Sequence, residues 1–300
     1  MTYSIVARYA VSGEFGVAVQ TKWLAVGSVV PWLEPGVGAV ATQSFVEVAY
    51  GPRLLERLRA GEAPAEALAA LLAADPQADV RQVGVVDALG RAAAHTGPRC
   101  VREASHLVRD DLSCQANMME RLTVPAALQA GYDRSAADGA DLADRLMAAL
   151  RSAEAEGGDL RGRQSAALVV SGSPGDPAWS RRFDVRVDDH PVPLDELARL
   201  LRLARAFALM DDADSALARG DRDAAASLYL RGLELAPEDD QAMILAAGGL
   251  VQLGRTQEAA PLMRAARRAN PRWPEFIRRF SAAGHIPPIS DEDVRALFGD

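Results

Sequence analysis

Residues 3–20, YSIVARYAVSGEFGVAVQ, contain two short β-prone runs, 3–8 and 16–20, joined across the turn-like cluster Ser12-Gly13-Glu14. They read as an antiparallel hairpin that opens the chain. Two further apolar runs, Leu24 to Val30 and Val37 to Gln43, are separated by Pro31 and Pro35, which bar a helix there. The first forty-odd residues are therefore expected to be mostly strand. Helical spacing follows, with Leu54, Leu55 and Leu58, and then Leu68, Leu71 and Leu72 behind Pro64, a first-turn proline. Strand signals return at 83–86 and 92–94, helical spacing at Leu142, Leu146, Met147 and Leu150, and a last strand pair at 166–170 and 183–187. Strands and helices thus come in blocks. That order indicates an α+β layered fold rather than alternating βαβ units.

The C-terminal third is helical and periodic. A shift of 34 residues superposes Gly220 on Gly254, Ala225 on Ala259, Leu228 on Leu262 and Pro237 on Pro271, which is the tetratricopeptide period. Two repeats and a capping helix over Pro274 to Phe280 are expected. Because two repeats fall short of the usual ~3 for independent stability, the unit is expected to dock on the first domain or to support a homo-oligomer.

Composition bounds the function. With 33 Lys and Arg against 41 Asp and Glu, a net charge of −8 and no basic run, the chain lacks the footprint of a nucleic-acid binder. No apolar stretch approaches the ~18 residues of a spanning helix, so no membrane partner is expected. The opening residues do not resemble a secretory leader, and two cysteines agree with a reducing compartment, so a cytoplasmic location is expected. Gly36-Val37-Gly38 sits among β-like residues and reads as packed strand, not a dinucleotide loop. The four histidines lack ligand spacing, and neither metal nor cofactor is expected. Cys114 beside His106 offers one nucleophile pair. Thr2 offers another, since removal of Met1 would leave a hydroxyl and an α-amine on one residue, nucleophile and base together.

The motifs TYSIVARYAVSGEFGVAVQTKWLAVGSVVPW, GVGAVATQ, YGP, RQVGVVD, GDLRGRQSAAL and DVRVDDHP resemble the bacterial family called domain of unknown function 1028, over residues 1 to about 205. That family is placed among the N-terminal nucleophile (Ntn) hydrolases. The resemblance therefore implies a four-layer αββα sandwich over 1–205, followed by an all-α tetratricopeptide-like unit over 206–300. It also implies cleavage of an amide bond in a small or peptide-like substrate, with Thr2 as nucleophile. Asn117 is then a candidate oxyanion donor, and Lys22, which faces inward in one strand register, a candidate stabiliser of the alkoxide. Thr42, Gln43, Gln115, His106 and Asp188 are candidate substrate contacts. The chain departs from the family pattern at Gln115-Ala116-Asn117, where Gln-Gly-Asn is usual, at His95-Thr96-Gly97 for Phe-Thr-Gly, and around Arg102 to His106 for Trp-Ala-Gly-His. The alternative expectation is an inactive sandwich whose helical tail binds a protein partner.

Overall fold

A computed structural model describes residues 2–299. The opening hairpin forms as β1 (Thr2–Arg8) and β2 (Phe15–Thr21), in register from Thr2 opposite Thr21 to Arg8 opposite Phe15. Gly13, at φ +75°, closes its loop by donating its N–H to the Tyr9 carbonyl. The run from Leu24 to Val30 is not a strand: it holds turns and a short 3₁₀ segment, Val26–Ser28, whose valine is buried between the sheets. The strand begins at the proline instead, as β3 (Pro31–Glu34), an edge strand in which a missing N–H is tolerated. It pairs with β4 (Gly38–Ser44). The glycine-rich segment is strand, and a Cβ on Gly38 would lie 2.6 Å from Leu58 Cδ1.

Two helices follow, α1 (Tyr50–Arg59) and α2 (Pro64–Ala74), the second begun by its proline. Then come β5 (Arg81–Asp87), β6 (Ala92–Thr96), β7 (Ser105–Arg109) and β8 (Leu112–Asn117). After α3 (Val124–Ala137) and α4 (Leu142–Ala155) the chain closes its sheets with β9 (Ser165–Ser171) and β10 (Arg181–Val187). One sheet has six strands in the order β10-β9-β2-β1-β8-β7, and the other four in the order β3-β4-β5-β6. The sheets pack face to face, with α3 and α4 on the outside of the first and α1 and α2 on the outside of the second. This is the four-layer αββα sandwich.

Alternation along the strands divides the residues cleanly. In β1 the even positions Thr2, Ser4 and Val6 face the second sheet, and Tyr3 faces α4, where its hydroxyl donates to Glu154. An apolar cluster including Val6, Val17, Val19, Ala41, Val86 and Val169 fills the space between the sheets.

The chain divides after Leu200, inside α5 (Pro193–Ala218). The second unit is helical, with α6 (Arg222–Leu235), α7 (Asp240–Gln252), α8 (Thr256–Ala269), α9 (Trp273–Ala282) and α10 (Asp291–Phe298). The 34-residue register is visible in its geometry. Gly220 and Gly254 occupy matching turns before α6 and α8 at φ +82° and +77°, and Ala225 and Ala259 are both fully buried.

Candidate functional site

At the end of the sandwich where β1 begins, polar side chains replace the apolar filling. Strand pairing sets Ser165, Thr21, Thr2 and Asn117 side by side across β9, β2, β1 and β8, all on the face toward the second sheet and all buried. Thr2 is 5% exposed, and its Oγ1 donates to Thr21 Oγ1 at 3.2 Å. Met1, whose removal the nucleophile reading requires, lies outside the described residues.

A hydrogen-bonded network joins this row to the opposing sheet. Gln43 Nε2 donates to the Thr2 carbonyl at 3.2 Å and to Gln82 Oε1 at 2.8 Å. Asn117 Nδ2 donates to the same Gln82 Oε1 at 2.8 Å, with a longer 3.4 Å contact to the Thr2 carbonyl. Gln82 Nε2 in turn serves the Ala116 carbonyl at 2.8 Å and Thr96 Oγ1 at 2.9 Å. One row deeper, Ser4 Oγ donates to Gln43 Oε1 at 2.6 Å and accepts from Gln115 Nε2 at 2.7 Å, while Ser113 Oγ donates to Gln115 Oε1 at 2.8 Å. Gly84 makes room for this layer, because a Cβ there would lie 2.2 Å from Gln115 Oε1. One atom is left over: Asn117 Oδ1 is buried without a hydrogen-bond partner, on the residue directly across the strand pair from Thr2.

The structure thus brings Thr2, Gln43, Gln115 and Asn117 together from segments far apart in sequence. His106 joins at the edge, where its Nδ1 lies 2.8 Å from Thr96 Oγ1. Partial burial first, and the neighbouring His95 second, hold its imidazole below the usual histidine range. Other candidates fall elsewhere. Lys22 is exposed in the bend just beyond the end of β2, its Nζ 3.5 Å from the Arg163 carbonyl. Thr42 likewise points away from Gln43, and its hydroxyl donates to the Glu47 carbonyl. Asp188 is exposed at the end of β10 and engages Ala25 through its backbone carbonyl. Asn117 directs its amide hydrogens to Gln82 Oε1 and the Thr2 carbonyl and leaves its Oδ1 as an acceptor.

Cys114 and His106 do not form a pair. Cys114 sits on the helix-facing side of β8, opposite to Gln115, and complete burial pushes its thiol far up, away from a reactive thiolate. The residues that sequence reasoning passed over are Ser4, Thr21, Gln82 and Ser113. Their signal is a small hydroxyl or amide at an inward position of an otherwise apolar strand, as in YSIVAR and RQVGVVD. Around this end of the sandwich the loops carry exposed Trp23, Leu24, Phe45, Leu122 and Leu160.

Residues 2–197 match a family described as "Family of unknown function (DUF1028)". No curated protein matches the chain. Among solved structures it is similar to the crystal structure of protein SPO2555 from Silicibacter pomeroyi, of the same family. The two share 29% identity over 68% of this chain and 88% of that one, with a TM-score of 0.59.

Proposed function

The chain belongs to the DUF1028 family, and for its sandwich we propose an N-terminal-nucleophile amidohydrolase in which Thr2 attacks the carbonyl of a small or peptide-like amide. The observation that carries the reading is the setting of Thr2: its hydroxyl against Thr21 Oγ1, its carbonyl held by Gln43, and the unpartnered Asn117 Oδ1 directly across the strand pair. Once the preceding residue is removed, the Thr2 amine, with a reference pKa of about 7.7–8.0, can take the hydroxyl proton at neutral pH. Oγ1 then bonds to the substrate carbon, the C–N bond breaks as the amine returns the proton to the leaving nitrogen, and water hydrolyses the resulting ester. In this scheme Thr21 orients the nucleophile and Asn117 Oδ1 accepts a hydrogen from the α-amine. The apolar loops around this end favour substrates with an apolar group beside the scissile amide.

A second reading is a non-catalytic sandwich with a partner-binding helical tail. It is favoured by the outward turn of Lys22, which leaves Thr2 among amides and hydroxyls. One experiment separates the two. The natively produced protein is analysed by N-terminal mass measurement and then treated with a β-lactone that acylates terminal threonine. A chain starting at Thr2 that is acylated there, with the adduct lost in Thr2→Ala and kept in Thr2→Ser, supports the hydrolase. Retention of Met1, or an adduct that persists in Thr2→Ala, refutes it.

A further inference from the structure

Behind the same strand pair, on the face turned to the helices, lies a cavity of about 350 Å³ whose lining includes Gln20, Arg151, Glu154, Arg163, Leu194 and Asp195. Its inner wall is Gln20, which is 0% exposed. The Gln20 amide nitrogen donates to Tyr3 Oη and, at 2.5 Å, to Glu154 Oε2. The Gln20 carbonyl oxygen Oε1 is buried with no partner. Reversing the amide would set that oxygen against the Glu154 carboxylate, so the donors hold the orientation and the acceptor stays open. An unmet buried acceptor costs about as much as a lost hydrogen bond, and a ligand N–H would remove that cost.

Four charged side chains line the cavity. Arg163 Nη1 donates to Glu154 Oε1 at 3.2 Å, and its Nε donates to the Pro191 carbonyl. Arg151 meets Asp195 at 3.7 Å, with both side chains more than half exposed. Two guanidinium groups and two carboxylates cancel. A simple anion would meet Glu154 and Asp195, and a simple cation the two arginines, so a molecule carrying both signs matches best.

We propose that this cleft binds a small zwitterion of the amino-acid or dipeptide class, its ammonium donating to Gln20 Oε1 and its carboxylate paired with Arg151. The site is separate from the Thr2 network and stands without the hydrolase reading. It nevertheless touches the same strands, because Tyr3 and Gln20 are the chain neighbours of Thr2 and Thr21 on the reverse face.

The test is a calorimetric titration of the full chain with glycylglycine, followed in parallel by backbone amide NMR, with N-acetylglycinamide, which lacks both charges, as the comparison. Saturable binding of glycylglycine is expected, with shifts at Gln20 and Tyr3 and much weaker binding of the capped compound. Arg151→Ala, a surface change that leaves the core intact, is expected to weaken binding about tenfold or more by removing a charge-assisted contact. The proposal is overturned if glycylglycine fails to saturate, if N-acetylglycinamide binds as well, or if Arg151→Ala titrates like the unchanged protein.

Discussion

Gly84→Ala is the sharpest test of the joint between the two sheets. In an open strand, replacing Gly by Ala stabilises by roughly 0.5–1 kcal/mol, because the unfolded chain loses freedom. At position 84 the new Cβ would sit 2.2 Å from Gln115 Oε1 and 2.7 Å from Ser113 Oγ, distances that real Cβ atoms do not show. Gln115 cannot swing away without releasing its 2.8 Å bond from Ser113 and its 2.7 Å bond to Ser4, in a place water does not reach. Overpacking costs about 1–3 kcal/mol, and the two bonds about 1 kcal/mol each. The entropic gain offsets only part of this, leaving a net loss of roughly 2–4 kcal/mol. The measurement is urea unfolding followed by near-ultraviolet circular dichroism, which reports the packed aromatic side chains. A variant as stable as the parent would show that the amide layer is not the rigid joint described.

Gln82→Leu is expected to cost about 3 kcal/mol or more in the same assay, since it removes the buried acceptor that the side-chain amides of Gln43 and Asn117 share and the donor to the Ala116 carbonyl and Thr96 Oγ1. In the helical unit, two adjacent glycines should respond with opposite signs. Gly249→Ala drives a Cβ to 2.1 Å from the buried Tyr229 ring and should lose about 1–3 kcal/mol, whereas Gly248→Ala meets nothing within 4 Å and should gain roughly 0.5–1 kcal/mol in urea unfolding. Arg81, bonded to Asp75 at 2.8 Å, holds that carboxyl below its usual range. Its contribution to stability is therefore present above the unfolded value of about 3.9 and is lost as pH falls below it. Asp75→Asn should flatten the decline of the urea midpoint below about pH 4, and equal slopes for the two proteins would refute the assignment.

The hairpin, α1, α2 and the 34-residue helical register were legible because each rests on local pattern: alternation, a first-turn proline, or a glycine at a fixed interval. What stayed hidden is equally specific. β8 reads LSCQAN, half of it polar, and looks like loop, yet it is an interior strand because its polar side chains find buried partners: Ser113 bonds Gln115, Gln115 bonds Ser4 on the neighbouring strand, and Asn117 bonds Gln82 on the opposing sheet. α3 carries Gly131 in its middle, which weakens a helical reading. A Cβ there would press to 2.5 Å from the Ala148 carbonyl, so the glycine allows α3 and α4 to approach closely. At the candidate site, Gln43, Gln115 and Asn117 could be named from motifs, but the facing of Thr42 depended on strand register, and that of Lys22 on where β2 ends. A slip of one residue reverses a face, and pairing partners decide it.

The strand order also dictates a timetable. β2 finds β1 at once, but β1 must wait for β8, about 110 residues later, and β2 for β9, about 150 residues later. At roughly 5–20 residues per second of synthesis, the β1 edge of the hairpin stays unpaired for roughly 5–20 s and the β2 edge for roughly 8–30 s. Such edges invite pairing with another nascent copy. The same central placement that buries Thr2 makes the first strands of the protein the last to be enclosed, and the yield of folded chain should respond to translation speed between β2 and β9 more than to any later segment.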